Sequence, residues 1–532
     1  MLRLAALLLM AFGAPAPELW FYCSTNLLVD ENVDRLAALF ERAGKAGYAK
    51  VLLADSKFAR LGTLDARYFR NAERVKEAAR RAGITIVPAI CPIGYSEALL
   101  FHDPNLAEAL PVKDAPFVVK GGRATIVAGG NLLAVREWPE WPEWKDELWS
   151  SESGGWRCRD PGGRNARVVF RVKVAPHRQY HVAVTIETKE FDGDPRVQVL
   201  VGGEGLSFSD LGCRPTQPPT RHHVVFNSLG HDEVFVYFGA WGAGHGELSI
   251  SDPRLELVAL VNLVRREGAP FEVRRADGST LQKLTEGRDF EPVADPGMGR
   301  SPWPGAFDVW HEPPAIRTKL KDGTKLLVSY HHAITVGDGQ VMICPSEPRT
   351  LDLIKEEARR VHDLFGGHEM FLSHDEIRVL DQDEACRRRG LDAGALLADH
   401  VGACVKTVRD VDPGAKLWIW SDMFDPSHNA HAGYYLVRGD LAGSWEGLDR
   451  SVGIANWNFE RRDESLAFFA GRGHRQLVAG YYDGPVESIG AWLTSAAAVK
   501  GVDAVMYTTW QSRYDELERF AELVRAGERA RR

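Results

Sequence analysis

The chain has 532 residues, of which 45% are hydrophobic, 26% charged and 10% aromatic, and its formal net charge is -8. This is ordinary globular composition, and the length allows several domains. The negative charge offers no broad cationic surface for a phosphate backbone or an anionic lipid, so it argues against a nucleic-acid or membrane-surface partner and favours a small or neutral ligand.

The N-terminal segment is typical of an export signal. Arg3 is followed by an apolar run from Leu4 to Phe12, and small residues and prolines then continue to Pro17. This run is too short to cross a bilayer of about 30 Å, but it fits the apolar core of a secretory signal. We expect residues 1–16 to be a signal peptide and the protein to be secreted or periplasmic in a bacterium, with no membrane span.

The next part of the chain alternates strand and helix patterns. Buried-strand signals begin near residues 19, 50 and 85, with helical periodicity between them. This rhythm predicts parallel strands. From about residue 105 the pattern changes to alternating, glycine-rich β sequence, which predicts a jelly-roll-like β-sandwich. Five strands carry that prediction: 168–172, 181–186, 196–201, 233–238 and 247–250.

The strand and helix rhythm resumes after a second, smaller β-rich piece. Five further strand signals follow, each leading to a helical pattern, near residues 370, 416, 452, 476 and 504. Together with the three early strands they give the content of a (β/α)8 TIM barrel, an α/β fold. The rival fold, an open doubly wound sheet, would require a glycine-rich phosphate loop after the first strand, where the sequence has Cys23-Ser24-Thr25-Asn26.

The predicted domains follow from this division. The barrel comprises residues 17–104 and 340–532. The insertion after the third strand comprises a sandwich resembling a carbohydrate-binding module at 105–264 and a small β-rich part at 265–339. Because a barrel builds its site at the carboxyl ends of its strands, the catalytic residues should follow the late strands.

Those strand ends carry carboxylates and aromatic rings. Asp375 and Glu376 are adjacent, and neighbouring carboxyl groups raise one another's pKa, which suits a general acid. Their neighbours His374 and Arg378 are further candidates for substrate binding. The other candidates share a position at or just past a barrel strand: Asp55, Trp420, Asp422, Trp457, Tyr482, Asp483, Tyr507 and Trp510.

The segment Phe371 to Arg378, with its Asp-Glu pair closing the fourth strand, resembles glycoside hydrolase family 20, the β-N-acetylhexosaminidases, and uncharacterised exported bacterial relatives of this barrel type. The resemblance implies substrate-assisted catalysis, in which the sugar's 2-acetamido oxygen is the nucleophile. Glu376 would then protonate the glycosidic oxygen, Asp375 would hold the acetamido N–H, and Tyr482 would donate to its carbonyl. Ser373 and His374 depart from the Gly-Gly that usually precedes this pair in the family.

Two alternatives remain open at this stage. One is a double-displacement glycosidase with Asp483 or Asp422 as the nucleophile. The other is a non-catalytic protein that binds an oligosaccharide or polysaccharide through the sandwich and the barrel mouth. The seven cysteines are dispersed and include no Cys-x-x-Cys pair, so we expect no metal and no cofactor.

Overall fold

The computed structural model describes residues 17–133, 143–152, 155–276 and 281–529. The predicted signal peptide at 1–16 lies outside these ranges. No helix within them is both long and apolar enough to cross a membrane.

A closed barrel of parallel strands forms the centre of the molecule. Its last strand pairs with its first, with Val505 opposite Leu19 and Tyr507 opposite Phe21. The strands are β1 (Glu18–Ser24), β2 (Lys50–Ala54), β3 (Thr85–Ile90), β4 (Glu369–Leu372), β5 (Lys416–Trp420), β6 (Gly453–Asn456), β7 (Gln476–Tyr481) and β8 (Val502–Thr508). The prediction of a TIM barrel interrupted after its third strand is confirmed.

Amphipathic helices cover the outside of the barrel. They are α1 (Asp30–Lys45), α2 (Ala66–Ala82), α3 (Pro348–Phe365), α4 (Ala393–Val411), α5 (Arg462–Gly471), α6 (Ile489–Ala497) and α7 (Leu517–Arg529). Their ends follow local chemistry: α2 begins after Asp65, whose carboxylate accepts the Arg67 N–H, and ends at the left-handed Gly83. Two four-residue helices, Glu97–Leu100 and Glu384–Arg387, lie in connections.

The connection from β5 to β6 differs from the prediction of a helix after every late strand. It contains two short 3-10 helices, Asp422–Phe424 and Ser444–Gly447. Gly443, with φ of 88°, precedes the second of them, and glycine tolerates this left-handed conformation better than other residues. The connection is therefore a long loop over the mouth of the barrel, and it supplies side chains there.

Alternate residues of each barrel strand face two different cores. Trp20, Leu52, Val87, Phe371 and Trp418 belong to the inner core, which fills the barrel. Their neighbours along the strands, which belong to the outer core between barrel and helices, include Phe21, Val51, Met370 and Leu417. Because side chains alternate with a period of two, the same rule extends to residues just past a strand wherever no positive φ interrupts the alternation.

The insertion contains a β-sandwich of two antiparallel sheets. One sheet has the order Gln217–Asn227, Gln179–Lys189, Glu247–Val258, Gly155–Arg159 and Trp149–Glu152. The other has the order Glu204–Gly205, Arg196–Val201, Glu233–Ala243, Arg164–Lys173 and Trp144–Lys145. Buried Trp156, Phe170 and Phe238 pack between the two sheets. The strand Gln217–Asn227 was missed because its Pro-Pro and His-His pairs mask the alternation.

A third sheet joins the sandwich to the barrel. Its strand Leu110–Lys120 pairs with Lys325–His332 and with Arg123–Ile126. The remaining strands of this sheet are Leu263–Val264, Glu272–Arg275, Gln282–Lys283 and Ile316–Arg317. The sequence placed 110–126 in the sandwich segment, whereas the observed pairing assigns these residues to the sheet built mainly from 265–339. Beyond the insertion, Val379–Leu380 pairs with Leu436–Val437.

A buried arginine fastens this third sheet to the barrel. The Arg266 guanidinium contacts the carboxylates of Glu347 and Asp383, and it also donates to the carbonyl oxygens of Asn105 and Ala107. The side chain of Asp383 is fully buried. Burial, together with the charge of Asp383, raises the pKa of neighbouring Glu108 well above its usual range. Arg266 is therefore the counter-charge of a buried acidic group.

Replacement of Arg266 by methionine should destabilise the protein by about 3–5 kcal/mol, because it leaves Asp383 buried without a cationic partner. The matched control is Arg388→Met, since Arg388 pairs with Glu384 at the surface. That substitution should change the free energy of unfolding by less than about 1 kcal/mol. Urea denaturation of both variants measures the difference, and equal losses would contradict the assignment.

Candidate active site at the barrel mouth

The turn after β4 places two carboxyl groups in the mouth. Asp375 has the inward parity of Phe371, and it lies near Tyr22 of β1 and Asp422 of the β5–β6 connection. Glu376 follows with φ of 50°, a left-handed conformation that costs free energy in a residue other than glycine and is often found at functional sites. The strand therefore ends in a sharp turn that presents both carboxyl groups to the same space.

Glu376 is held at both of its carboxylate oxygens. Oε1 forms an ion pair with Arg378 Nη2 at 2.8 Å, and the hydroxyl group of Tyr95 donates to Oε2. The side chain of Glu376 is 24% exposed. Gln340 steadies the arrangement by donating to the carbonyl of Glu376 and accepting from Arg378. Glu376 is thus both fixed in position and open to a ligand.

The approach of Tyr95 depends on a glycine. A Cβ atom at Gly94 would lie 1.8 Å from the carbonyl oxygen of Asp375, so the two backbones could not pack this closely with any larger residue. The N–H of Ile93 also donates to the carbonyl of Ser373 at 3.2 Å. The loop after β3 is therefore fastened to the turn after β4, and this contact brings the Tyr95 hydroxyl to Glu376.

Asp422 is buried beneath these groups and links them through the hydrogen bonds that its carboxylate accepts. Its Oδ2 accepts the backbone N–H of Glu376 at 2.8 Å and the amide of Asn429 at 3.0 Å, while its Oδ1 accepts the Trp457 indole N–H at 3.2 Å. The residue is fully buried. Asp422 therefore positions Glu376 and Trp457, and its oxygens have little freedom to attack a substrate.

Burial raises the pKa of both aspartates beside Glu376. The pKa of Asp375 rises to about 8, because burial and then the charges of Asp422 and Glu376 disfavour ionisation. The pKa of Asp422 rises to about 6, because burial and the Glu376 charge outweigh the hydrogen bonds that its carboxylate accepts. The mouth therefore retains protons that exposed carboxyl groups would release.

Asp483 fastens the loop after β8. Its carboxylate accepts the backbone N–H groups of Trp510 at 2.7 Å and Gln511 at 3.0 Å, and it also accepts the Thr509 hydroxyl. Tyr481, Tyr482 and Asp483 all have positive φ, so the chain reverses its side-chain alternation at the end of β7. Tyr481 accordingly packs outside against Tyr507, and Asp483 acts as a clamp on Trp510.

Aromatic rings form a wall around the carboxyl groups. Trp510 is 49% exposed, and its ring contacts the edges of Tyr22, Trp420 and Trp457 at centroid distances of 5.5, 5.9 and 6.2 Å. It also stacks on Tyr482, with centroids 5.8 Å apart and planes 7° from parallel. These contacts leave the open part of the Trp510 ring available to a ligand, such as the apolar face of a sugar ring.

The hydroxyl group of Tyr482 has partners within the protein. It contacts the carbonyl oxygens of Ala479 and Trp457. A phenol has only one proton to donate, so a substrate carbonyl would compete with these main-chain acceptors. In the structure the ring of Tyr482 stacks on Trp510, and its hydroxyl group is a candidate hydrogen-bond donor to a substrate.

Three of the candidate residues face away from the mouth. Asp55 is buried and accepts hydrogen bonds from the Leu27 and Lys57 N–H groups and the Tyr68 hydroxyl. Tyr507 is fully buried in the outer core. His374 is fully buried beside His400 and Phe424. Each of the three has the outward parity of its strand and lies away from the mouth, and a role for them in substrate binding stays a prediction.

Several residues that the sequence did not identify also line the site. They are Tyr22, Tyr95, Gln340, His428, Asn429, Tyr434 and Tyr435. Tyr22 has the inward parity of Trp20, so strand alternation could have found it. Tyr95 and Gln340 flank the insertion, and no local pattern links them to Glu376.

The sandwich reaches the edge of this site. Phe208 packs against Tyr435 with ring centroids 4.5 Å apart, and Arg378 lies 4.9 Å over the Tyr435 ring. A cleft of about 870 Å³ between the inserted sheets and the barrel is lined by Phe208, Tyr434 and Tyr435, among others. The insertion therefore contributes to the wall beside the Glu376–Arg378 ion pair.

Comparisons with known proteins give distant structural similarity. No protein-family model and no curated protein sequence matches the chain. It is similar to a β-N-acetylhexosaminidase from Bacteroides fragilis, with 9% identity over 96% of this chain and 65% of that one and a TM-score of 0.39. The glycoside hydrolase family 20 β-N-acetylhexosaminidase from Streptomyces coelicolor gives 10% identity over 95% and 63%, with a TM-score of 0.36.

A third similarity concerns a smaller part of the chain. A family 16 carbohydrate-binding module shares 17% identity over 24% of this chain and 99% of that one, with a TM-score of 0.17. The chain spans just under two thirds of the length of the two hexosaminidases.

The raised pKa values predict how stability depends on pH. An acid whose pKa is higher in the folded state stabilises the fold below its unfolded pKa, and this contribution is lost as pH rises through the folded pKa. The contribution of Asp375 and Asp422 to the free energy of unfolding should therefore fall as pH rises from about 4 to about 8. Asp375→Asn, an uncharged mimic of the protonated acid, should reduce this slope by up to about 1.4 kcal/mol per pH unit.

Urea denaturation across this pH range measures the slope. The control is Asp503→Asn, at an exposed position near the start of β8, which should leave the slope unchanged. An Asp375→Asn slope identical to that of the wild type would show that Asp375 is ionised in the folded protein at all these pH values.

Proposed function

We propose that the protein is a glycoside hydrolase that cleaves an O-glycosidic bond of a neutral or N-acetylated glycan, with Glu376 as the general acid and base. The observation that carries the proposal is the setting of Glu376. Its carboxyl group is held by Tyr95 and Arg378 at an open mouth, beside the exposed Trp510 ring. A fixed, accessible carboxyl group next to an aromatic platform suits proton transfer to a leaving oxygen.

Substrate assistance is the mechanism that the site favours. A double-displacement enzyme needs a second carboxylate free to attack the sugar carbon. Asp422 and Asp483 are both engaged by main-chain N–H groups, and Asp422 is fully buried. Since neither is free, we infer that the nucleophile comes from the substrate, as a 2-acetamido oxygen.

Asp375 would then orient the acetamido group. Its position beside Glu376, at the inner side of the turn, suits a carboxylate that accepts the acetamido N–H as positive charge develops on the ring formed by that group. Its raised pKa means that loss of its proton accompanies substrate binding or occurs above neutral pH. Tyr482 would turn its hydroxyl from a main-chain carbonyl to the acetamido oxygen.

Two further elements belong to the proposal. Export through the signal at residues 1–16 would bring the enzyme to extracellular or periplasmic glycans. The sandwich, which meets the mouth at Phe208 and Tyr435, would extend the binding surface for a longer chain beyond the sugar in the mouth.

The substitution Glu376→Gln tests the catalytic role. It removes the transferable proton while keeping the shape of the side chain, so kcat should fall about 10²- to 10⁴-fold with little change in sugar affinity. Glu356→Gln, on the exposed face of α3, is the matched control and should retain full activity. A binding protein without catalysis would show the same slow hydrolysis and the same sugar affinity before and after Glu376→Gln.

A panel of aryl glycosides tests the substrate-assisted mechanism. Members with a 2-acetamido group should be hydrolysed, and matched plain hexosides should not, because only the former carry the nucleophile. Asp375→Asn should lower kcat for the acetamido substrates roughly 10²-fold or more. Equal turnover of plain hexosides would reject substrate assistance and return Asp422 or Asp483 to consideration.

A further inference from the structure

A group of buried sulfur and imidazole side chains lies behind the mouth, on the helix side of β4. His400 and Cys404 come from α4, His374 follows β4, and Cys91 follows β3. All four are essentially inaccessible, with exposures of 0 to 1%. One ligand atom each from His374, His400 and Cys404 lies within 4.8 Å of the others.

The ring nitrogens of His374 are buried and require a hydrogen-bond or metal partner. Neither of its ring nitrogens forms a hydrogen bond of normal geometry among the described residues, although the side chain is fully buried and the Cys404 thiol lies close to it. A buried polar group without a partner costs about 1–3 kcal/mol. An apolar side chain would fill the same position without this cost, so the imidazole points to a ligand that it binds.

The spacing of the donors fits a tetrahedral metal ion. Bond lengths of about 2.3 Å to sulfur and about 2.0–2.1 Å to nitrogen place such donors about 3.6 Å apart around zinc. Cys404 Sγ lies 3.4 Å from His400 Nε2. The two residues are four apart on α4 and therefore share one face of the helix.

Cys91 would supply the fourth donor after a change of its side-chain rotamer, because its sulfur is not among the three ligand atoms that lie within 4.8 Å of one another. Its thiol adjoins that of Cys404, and its backbone N–H donates to buried Glu357 at 2.9 Å, which fixes the loop after β3. Two thiolates and two neutral imidazoles would give a zinc complex with no net charge. Such a complex can be buried at lower cost than an isolated charge.

We propose that Cys91, His374, His400 and Cys404 bind a structural zinc ion behind β4. The ion would join the ends of β3 and β4 to α4, two residues from Glu376, and so hold the catalytic turn in place. Sequence spacing predicted no metal because only His400 and Cys404 are close in the chain. The proposal concerns residues outside the mouth, so it stands or fails independently of the glycosidase activity.

Metal analysis of the full-length protein tests the proposal. Protein purified from zinc-supplemented cells should contain about one zinc ion per chain by mass spectrometry. Cys404→Ser should reduce this content roughly tenfold or more. The matched control is Cys158→Ser, since Cys158 is another fully buried free cysteine but lies in the sandwich, and it should retain the zinc.

Cobalt substitution gives a second readout that does not depend on the stability of a variant. The wild-type protein reconstituted with Co²⁺ should show the intense visible bands of tetrahedral coordination and a thiolate-to-cobalt charge-transfer band. Folded protein with less than about a tenth of a zinc ion per chain and no such bands would overturn the proposal. A disulfide between Cys91 and Cys404 in peptide mapping would overturn it as well.

Discussion

The alternation of side chains along the barrel strands is the constraint on which the rest of the site depends. Each strand sends every second residue into the barrel and the others toward the helices. The inner residues end in Tyr22, Asp375 and Trp420, which meet at the mouth. Among the outer residues, His374 ends beside His400 of α4. Cys91 has the inward parity of Val87, but its positive φ of 58° interrupts the alternation and it belongs to the outer core. The end of β4 thus contributes Asp375 to the mouth and His374 to the buried space beneath α4.

The turn after β4 interrupts this alternation and brings Glu376 back toward the mouth. A regular strand would point Glu376 outward, because it follows inward-facing Asp375. The positive φ of Glu376 and the hydrogen bond from its N–H to Asp422 turn the residue back toward the mouth. The cost of this conformation is offset by contacts from Tyr95 and Arg378, so removal of any one partner should loosen the carboxyl group without unfolding the barrel.

How far the sequence predicts this structure depends on whether an interaction is local or joins segments that are distant in the chain. Buried strand runs and helical periodicity are local, and they correctly predicted the barrel and the site of the insertion. Asp55, His374 and Tyr507 lie away from the mouth because proximity to a strand end does not fix direction, which depends on the parity of the residue along the strand. Tyr95 reaches Glu376 only through the close approach at Gly94, a contact between distant segments that no local pattern encodes.

The pKa values of Asp375 and Asp422 are raised because burial and neighbouring carboxyl groups outweigh the groups that lower them, which for Asp375 include the charge of Arg378. Arg378 is directed to Glu376, and the buried donors around Asp422 are neutral N–H groups of Asn429 and Trp457. Neutral donors stabilise a carboxylate less than a full positive charge does. The mouth therefore holds one carboxyl group paired with a cation and two that favour the protonated state. Proton donation by Glu376 and acceptance of an N–H by Asp375 need the reverse distribution, so the proposed mechanism requires a proton to pass from Asp375 to Glu376 when substrate binds.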